Sequence, residues 1–227
     1  MLEFQKFNKI PRLSREIIIT EKIDGTNGQI YIVRYKDFWN KCTDGYAFYS
    51  IQDFIDQYCL YKTVAIESED DILYMFAGSR NKWLDCSSKG DNFGFAKWVK
   101  ENAEELLKLG EGRHYGEWWG KGIQRGYGLD EKRFSLFNVN KWADKKTGIE
   151  LKDEDKRNYC PECCYVVPTL WIGEFDTLAI ESNLKELKRN GSIASPNFMN
   201  PEGIIIYHTA SRTLFKKTIE NDEKGKG

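Results

Sequence analysis

Glu21-Lys22-Ile23-Asp24-Gly25-Thr26-Asn27-Gly28 sets a lysine and an aspartate two apart at the end of an apolar run, then turns on glycine. Where Ile17-Ile18-Ile19 and the residues after it form a strand, side chains alternate between faces, so Lys22 and Asp24 point the same way. A lysine buried beside a carboxylate is a candidate nucleophile. The same octapeptide also suits a surface strand with an ordinary ion pair and a turn. The remainder of the chain has to separate these readings.

A chain of 227 residues, 41% hydrophobic and 14% aromatic, can bury a core and reads as one large domain. Its 34 Lys+Arg against 35 Asp+Glu leave a formal net charge of -1, so any nucleic-acid contact has to come from a local patch. Nowhere do about 18 apolar residues run together, and Met1 to Ile10 lacks a long apolar core. The expectation is a soluble, cytoplasmic protein without a membrane partner. Six cysteines are too few and too scattered for a disulfide scaffold. Cys160-Pro161-Glu162-Cys163, followed by Cys164, has the spacing of half a zinc site, but only the distant Cys42, Cys59, Cys86, His114 and His208 remain to complete it. Reduced loop thiols are the expected reading, with zinc as the alternative.

Strand-like runs rich in β-branched and aromatic residues fall at Glu16 to Ile19, Gln29 to Tyr35, Asp71 to Ala77, His114 to Trp119, Phe134 to Val139, Tyr165 to Leu170, Gly203 to His208 and Leu214 to Ile219. Ser50 with Asp53 resembles a capping box opening a helix over Ile51 to Leu60. Phe95 to Leu109 is amphipathic and stops at Gly110, and Asp176 caps a segment ending near Asn190-Gly191. Strands outnumber helices and do not alternate with them regularly, which predicts an antiparallel α+β fold rather than a doubly wound parallel sheet. Lys141 to Asn158 is dense in charge and predicts a long exposed loop. The charged stretch 221–227 predicts a flexible tail after a domain of residues 1–220.

His114-Tyr115-Gly116-Glu117-Trp118-Trp119-Gly120 puts an acid inside an aromatic strand, which calls for a hydrogen-bonding partner: a polar ligand, or a buried Arg or Lys. Its tryptophans serve core packing or base stacking. The next residues, Gly120 to Gly126, lack the endings of dinucleotide and P-loop motifs and read as a flexible glycine-rich loop. Pro201-Glu202-Gly203-Ile204-Ile205-Ile206 sets a carboxylate at the threshold of an apolar strand, where it binds magnesium or a nucleotide, or else sits solvated in a turn. In Phe215-Lys216-Lys217-Thr218 the adjacent lysines must face opposite sides, so only one can line a given surface.

Lys22-x-Asp24-Gly25, Ser79-Arg80, Gly116-Glu117, Phe137 within Arg133 to Val139, Glu202-Gly203 before three isoleucines, and Lys216 occur in that order. The set resembles the covalent nucleotidyltransferases, the superfamily of ATP-dependent RNA and DNA ligases and mRNA capping enzymes. It runs from residue 21 to residue 218. Glu21 to Asn27 is especially similar to the RNA ligase 2 branch, with Asp24 where that branch has histidine, and the composite looks like the small RNA ligase-like proteins of phages.

The resemblance implies an α+β nucleotidyltransferase domain (an ATP-grasp-like ligase adenylation domain) with antiparallel sheets flanked by helices and no OB domain. It implies ATP as substrate, Mg2+ or Mn2+ as metal, and nicked or broken RNA ends as partner, in a host cytoplasm if the chain is phage-encoded. Carried over by position, Lys22 attacks the ATP α-phosphate and holds AMP as a phosphoramidate, and Asp24 belongs to the same catalytic motif. Lys216 and the metal neutralise charge on the phosphoryl oxygens. Phe137 stacks on adenine, Glu117 accepts from the ribose hydroxyl, and Arg80 and Asn27 help hold the nucleotide and the RNA end. The backbone at Glu21 and Ile23 edges the base, and Glu202 sits near the phosphate and holds metal.

Three features depart from the family pattern. Its last motif usually carries two lysines two apart, whereas here Lys216 is followed in register by Thr218; the acid often found after the stacking aromatic is Asn138; and nine residues follow Thr218. An OB domain or a C-terminal helical domain is therefore expected to be absent or supplied by a partner protein. These features predict self-adenylylation ahead of efficient sealing. They leave as alternatives a non-catalytic RNA-end or nucleotide-binding protein on a degenerate ligase scaffold, or a DNA ligase or capping-type nucleotidyltransferase.

Overall fold

The computed structural model describes residues 4–7, 9–42, 48–64, 68–152, 154–220 and 222. In chain order its elements are β1 (Glu16–Lys22), β2 (Thr26–Arg34), α1 (Tyr35–Cys42), α2 (Phe48–Tyr58), β3 (Cys59–Lys62), β4 (Leu73–Gly78), β5 (Trp83–Leu84), α3 (Phe95–Glu101), α4 (Ala103–Leu106), β6 (Gly112–Gly120), β7 (Lys132–Leu136), β8 (Trp142–Ala143), β9 (Asn158–Tyr159), β10 (Cys164–Val166), β11 (Thr169–Glu174), α5 (Thr177–Asn190), β12 (Gly203–His208) and β13 (Thr213–Thr218). They group into two compact units, residues 1–23 with 168–227, and residues 24–167. Among the described residues no helix is long and apolar enough to cross a membrane.

The first unit is a four-stranded antiparallel sheet in the order β11-β1-β12-β13. Ile17, Ile19, Ile204 and Ile206 pack on one face against Leu187 of α5. That helix begins where the Asp176 carboxylate accepts from Leu178 N at 2.8 Å, and Lys188 and Arg189 lie in its last turn, where cations suit the exposed carbonyls. Strand alternation puts Ile18, Thr20 and Lys22 on the opposite face.

The second unit holds a seven-stranded sheet in the order β10-β7-β6-β2-β4-β3, with β5 beside β4. Its ladders are antiparallel except β10 on β7, and β8 pairs with β9 in a separate parallel ribbon that joins the two ends of the charged 141–158 stretch. One face buries Ile30, Ile32, Trp118 and Phe134 against Phe95, Val99 and Leu106. The other packs Tyr31, Val33 and Phe76 against Phe38 and Ile55 of α1 and α2. The tryptophans 118 and 119 are thus core residues.

Several boundaries differ from the sequence reading for identifiable reasons. The expected strand Tyr165 to Leu170 is two strands, because Pro168 has no amide to continue a ladder; Val167 N bonds to Leu136 O at 3.1 Å, while Pro168 O accepts from Glu21 N at 2.9 Å. The helix expected over Ile51 to Leu60 ends at Tyr58, since Cys59 enters a ladder with β4. The Ser50 side chain invoked as its cap lies outside the described residues. Phe95 to Leu109 breaks at Asn102 and closes on Gly110 at φ 76. Of the tail 221–227 only Asp222 is described, accepting from Thr218 N at 2.8 Å; the other residues lie outside the described set.

Candidate active site

β1 ends at Lys22, so the lysine is the last residue in the ladder and Asp24 lies beyond it. The expected strand-face pair of Lys22 and Asp24 therefore does not form. The carboxylate that meets Lys22 is Glu202, which accepts from its Nζ, with the two side chains 20% and 11% exposed. Glu202 is buried at the threshold of β12 and is not a solvated turn residue. Register explains the encounter, since Lys22 lies opposite Gly203. Gly203 must be small there, because a Cβ would meet Lys217 O at 2.2 Å.

The same ladders place Lys216. Thr20 faces Ile205 and Ile205 faces Lys216, so Lys216 shares the Lys22 face of the sheet, one row down and two strands across. That is about 10 Å across and about 7 Å along the backbone, within reach of two extended lysine side chains. Lys217 points to the other face, where its Nζ meets Glu181 of α5 at 2.9 Å. Thr218, in the row of Lys22, donates its hydroxyl to Glu220 O at 2.9 Å.

Glu21 faces the α5 side and is committed there. Its carboxylate accepts from Ser192 Oγ at 2.6 Å and from the amides of Ile193 and Ala194 at 2.9 Å each. Burial pushes this carboxyl above the ordinary range, and the three donors only partly oppose that. The side chain thus anchors the loop after α5, while the backbone of Glu21 pairs opposite Ile204 of β12 and donates its amide to Pro168 O.

In the second unit β2 and β6 set Asn27 opposite Glu117. Glu117 is buried and accepts from Asn27 Nδ2 and from Gly25 N, both at 3.0 Å. Where the sequence calls for a ligand or a buried Arg or Lys, these two bonds come from the chain just after the lysine motif. Gly25 has no room for a side chain, since a Cβ would meet Trp118 O at 2.5 Å and Trp119 Cβ at 2.7 Å. Phe137 is one residue past β7, its amide donating to Tyr115 O at 3.0 Å, and its ring is 41% exposed. Asn138 is a turn residue whose Oδ1 accepts from Lys141 N at 3.1 Å. Arg80 is exposed in the turn after β4, and Ile23 is buried.

Two contacts were not foreseen. Arg125 Nε donates to Asp24 Oδ2 at 3.0 Å, and Asp24 N donates to the Tyr127 hydroxyl at 2.9 Å. Arg125 comes from the segment read as a flexible glycine-rich loop, and Tyr127 follows it directly. A basic residue among glycines directly after an acid-bearing strand was the available signal.

For metal, Glu202 offers a hard oxygen at a strand end, which suits Mg2+ or Mn2+ held by one carboxylate together with substrate phosphates. Among the described residues no three His, Cys, Asp or Glu side chains converge into a metal-holding group. At the cysteine cluster, Cys163 Sγ and Cys164 Sγ are 4.0 Å apart, burial pushes the Cys160 thiol up to about 12, and the contact with Cys164 lowers that of Cys163.

The sequence matches the RNA ligase family over residues 15–219, and the chain belongs to that family. In structure it is similar to Naegleria gruberi RNA ligase. A lysine-to-alanine mutant of that ligase with ATP and Mn aligns at TM-score 0.50 and 16% identity, covering 91% of this chain and 50% of that one. An arginine-to-alanine mutant with ATP and Mn gives 0.49 and 15%, covering 92% and 51%. The same ligase with PPi gives 0.49 and 16%, covering 90% and 50%. The chain spans about half the length of these structures. What is shared is the fold, the α+β nucleotidyltransferase-type fold of RNA ligases with antiparallel sheets flanked by helices. No curated protein matches the sequence.

Proposed function

We propose that this chain is an ATP-dependent RNA ligase that works through a lysyl-AMP intermediate on Lys22, with residues 1–220 acting together as the adenylyltransferase domain. The observation that carries the reading is the Lys22–Glu202 pair on the sheet face shared by Lys216. It brings a lysine, a carboxylate and a second cation to one surface at strand ends, which is the set needed to form and break bonds at phosphorus. Membership of the RNA ligase family supports RNA ends as substrate. The ATP and Mn named for the Naegleria ligase support that nucleotide and a divalent metal.

In the first step the Lys22 ammonium loses a proton to water, and the free amine nitrogen attacks the α-phosphorus of ATP. A P–N bond forms, the Pα–O bond to the β-phosphate breaks, and pyrophosphate leaves. Lys216 offsets charge on the phosphoryl oxygens, and Glu202 would hold the divalent ion with its carboxylate. That ion, when bound, supplies charge neutralisation at the phosphates. Phe137 stacks on adenine with its exposed face, Glu117 and Asn27 serve the ribose and the RNA end, and Arg80 holds phosphate. The backbone at Glu21 and Ile23 edges the base, and Asp24 completes the motif. A 5′-phosphate of RNA then displaces Lys22 from phosphorus, and a 3′-hydroxyl displaces AMP to join the strands.

Incubation with α-labelled ATP, then with nicked RNA duplex, broken hairpin RNA or nicked DNA, tests this reading. Label should pass from protein to an RNA 5′ end and be released as the strands join. ATP binding without covalent label would favour a nucleotide-binding protein on a ligase scaffold. Labelling by GTP, or preference for the DNA nick, would favour a capping-type enzyme or a DNA ligase.

A further inference from the structure

The backbone just after the nucleophile motif is held at successive residues by side chains from β6 and the segment behind it. Glu117 takes the amide of Gly25, Tyr127 takes the amide of Asp24, and Arg125 takes the Asp24 carboxylate at 3.0 Å. Tyr127 cannot drift, because it is buried with its ring edge-on to Trp119 at 5.0 Å, and the Trp119 indole donates to the buried Ser135 hydroxyl at 2.9 Å. The segment accepts backbone strain to make these contacts. Gln124 at φ 44 and Tyr127 at φ 52 are in the left-handed region that non-glycine residues rarely occupy. Such strain persists only where surrounding contacts fix it, and it clusters at functional sites.

We infer that Arg125 is a positioning residue for Asp24, acting through that carboxylate and not on the nucleotide. The inference rests on the lysyl-AMP reading above. A guanidinium is planar and permanently charged, so it fixes the direction of the carboxylate. With both side chains about one quarter exposed, at 24% and 27%, the pair is sheltered enough to stay ordered. A carboxylate at 3.0 Å also cancels much of the attraction Arg125 would exert on a phosphate. The side chain thus serves orientation ahead of anion capture.

A double-mutant cycle on the intact chain tests this, reading single-turnover adenylylation against ATP concentration in wild type, Arg125→Ala, Asp24→Ala and the pair. Coupled residues share one effect. Each single variant should lose about tenfold or more in maximal rate with the ATP concentration for half-maximal rate unchanged, and the double variant should be no slower than the slower single one. Arg125→Lys should recover part of the loss. Losses that multiply in the double variant, or a change confined to ATP concentration dependence, would overturn the inference while leaving the lysyl-AMP reading intact. A wild-type chain that takes no label would overturn both. If Arg125→Ala melts below the assay temperature, the cycle of Arg125→Lys with Asp24→Asn decides by the same criterion.

Discussion

Lys22 and Glu202 form an ion pair across β1 and the start of β12, although 180 residues separate them in the chain. The pair satisfies two partly buried charges, and during reaction the proposed mechanism asks each to change partner. Glu202→Gln keeps the shape and removes the charge. It should lower the adenylylation rate by about 100-fold or more. Discounted for partial exposure, the stability cost should be about 1 to 2 kcal/mol, a fall of roughly 2–8 °C in thermal midpoint. Adenylylation at the wild-type rate in this variant would remove Glu202 from the mechanism.

The adjacent lysines of β13 should behave differently. Lys216→Ala should slow adenylylation by about 100-fold with little change in melting, since Lys216 is on the exposed part of the Lys22 face. Lys217→Ala breaks a surface pair with Glu181 and should cost under about 1 kcal/mol with the adenylylation rate kept. Equal rate losses in the two variants would show that the strand register does not select the working cation.

Much of this was readable in the sequence. The apolar runs fixed where strands form, and alternation along Phe215 to Thr218 correctly separated the faces of Lys216 and Lys217. What sequence could not supply was the partner across space. The two-residue spacing pairs Lys22 with Asp24, but the strand stops at Lys22, and Asp24 turns to Arg125 instead. Glu21 gave no hint of its loop, since Ser192, Ile193 and Ala194 look like ordinary turn residues and are some 170 positions away. Helix α1 is not legible because Tyr35 reads as the end of a strand, whereas in the fold Phe38 of that helix covers Tyr31 and Phe76.

Glu21 gives a pH signature. Burial raises its folded pKa above the ordinary value of 4.5, so the folded state binds that proton more tightly than the unfolded chain does. The contribution is fully present below pH 4.5 and is lost as pH rises through the folded pKa. Glu21→Gln is neutral throughout and lacks this loss. Denaturant unfolding of both proteins from pH 4 to 7 should therefore show the variant gaining on wild type as pH rises. A constant difference would mean that burial does not govern this carboxyl.

Phe137 offers its ring to solvent one residue past β7, and truncating it should leave the fold nearly untouched. Phe137→Ala should raise the ATP concentration for half-maximal adenylylation by about tenfold, the order expected for losing one base-aromatic stack. Phe137→Trp should stay near wild type. An unchanged ATP dependence in the alanine variant would place adenine elsewhere.

The most direct measurement is peptide mass mapping of the chain after incubation with ATP and Mn2+. One adenylate should appear on the peptide containing Lys22, linked through an acid-labile P–N bond, and it should be absent from Lys22→Ala. An unmodified Lys22 peptide under these conditions, or an adenylate on another residue, would contradict the account.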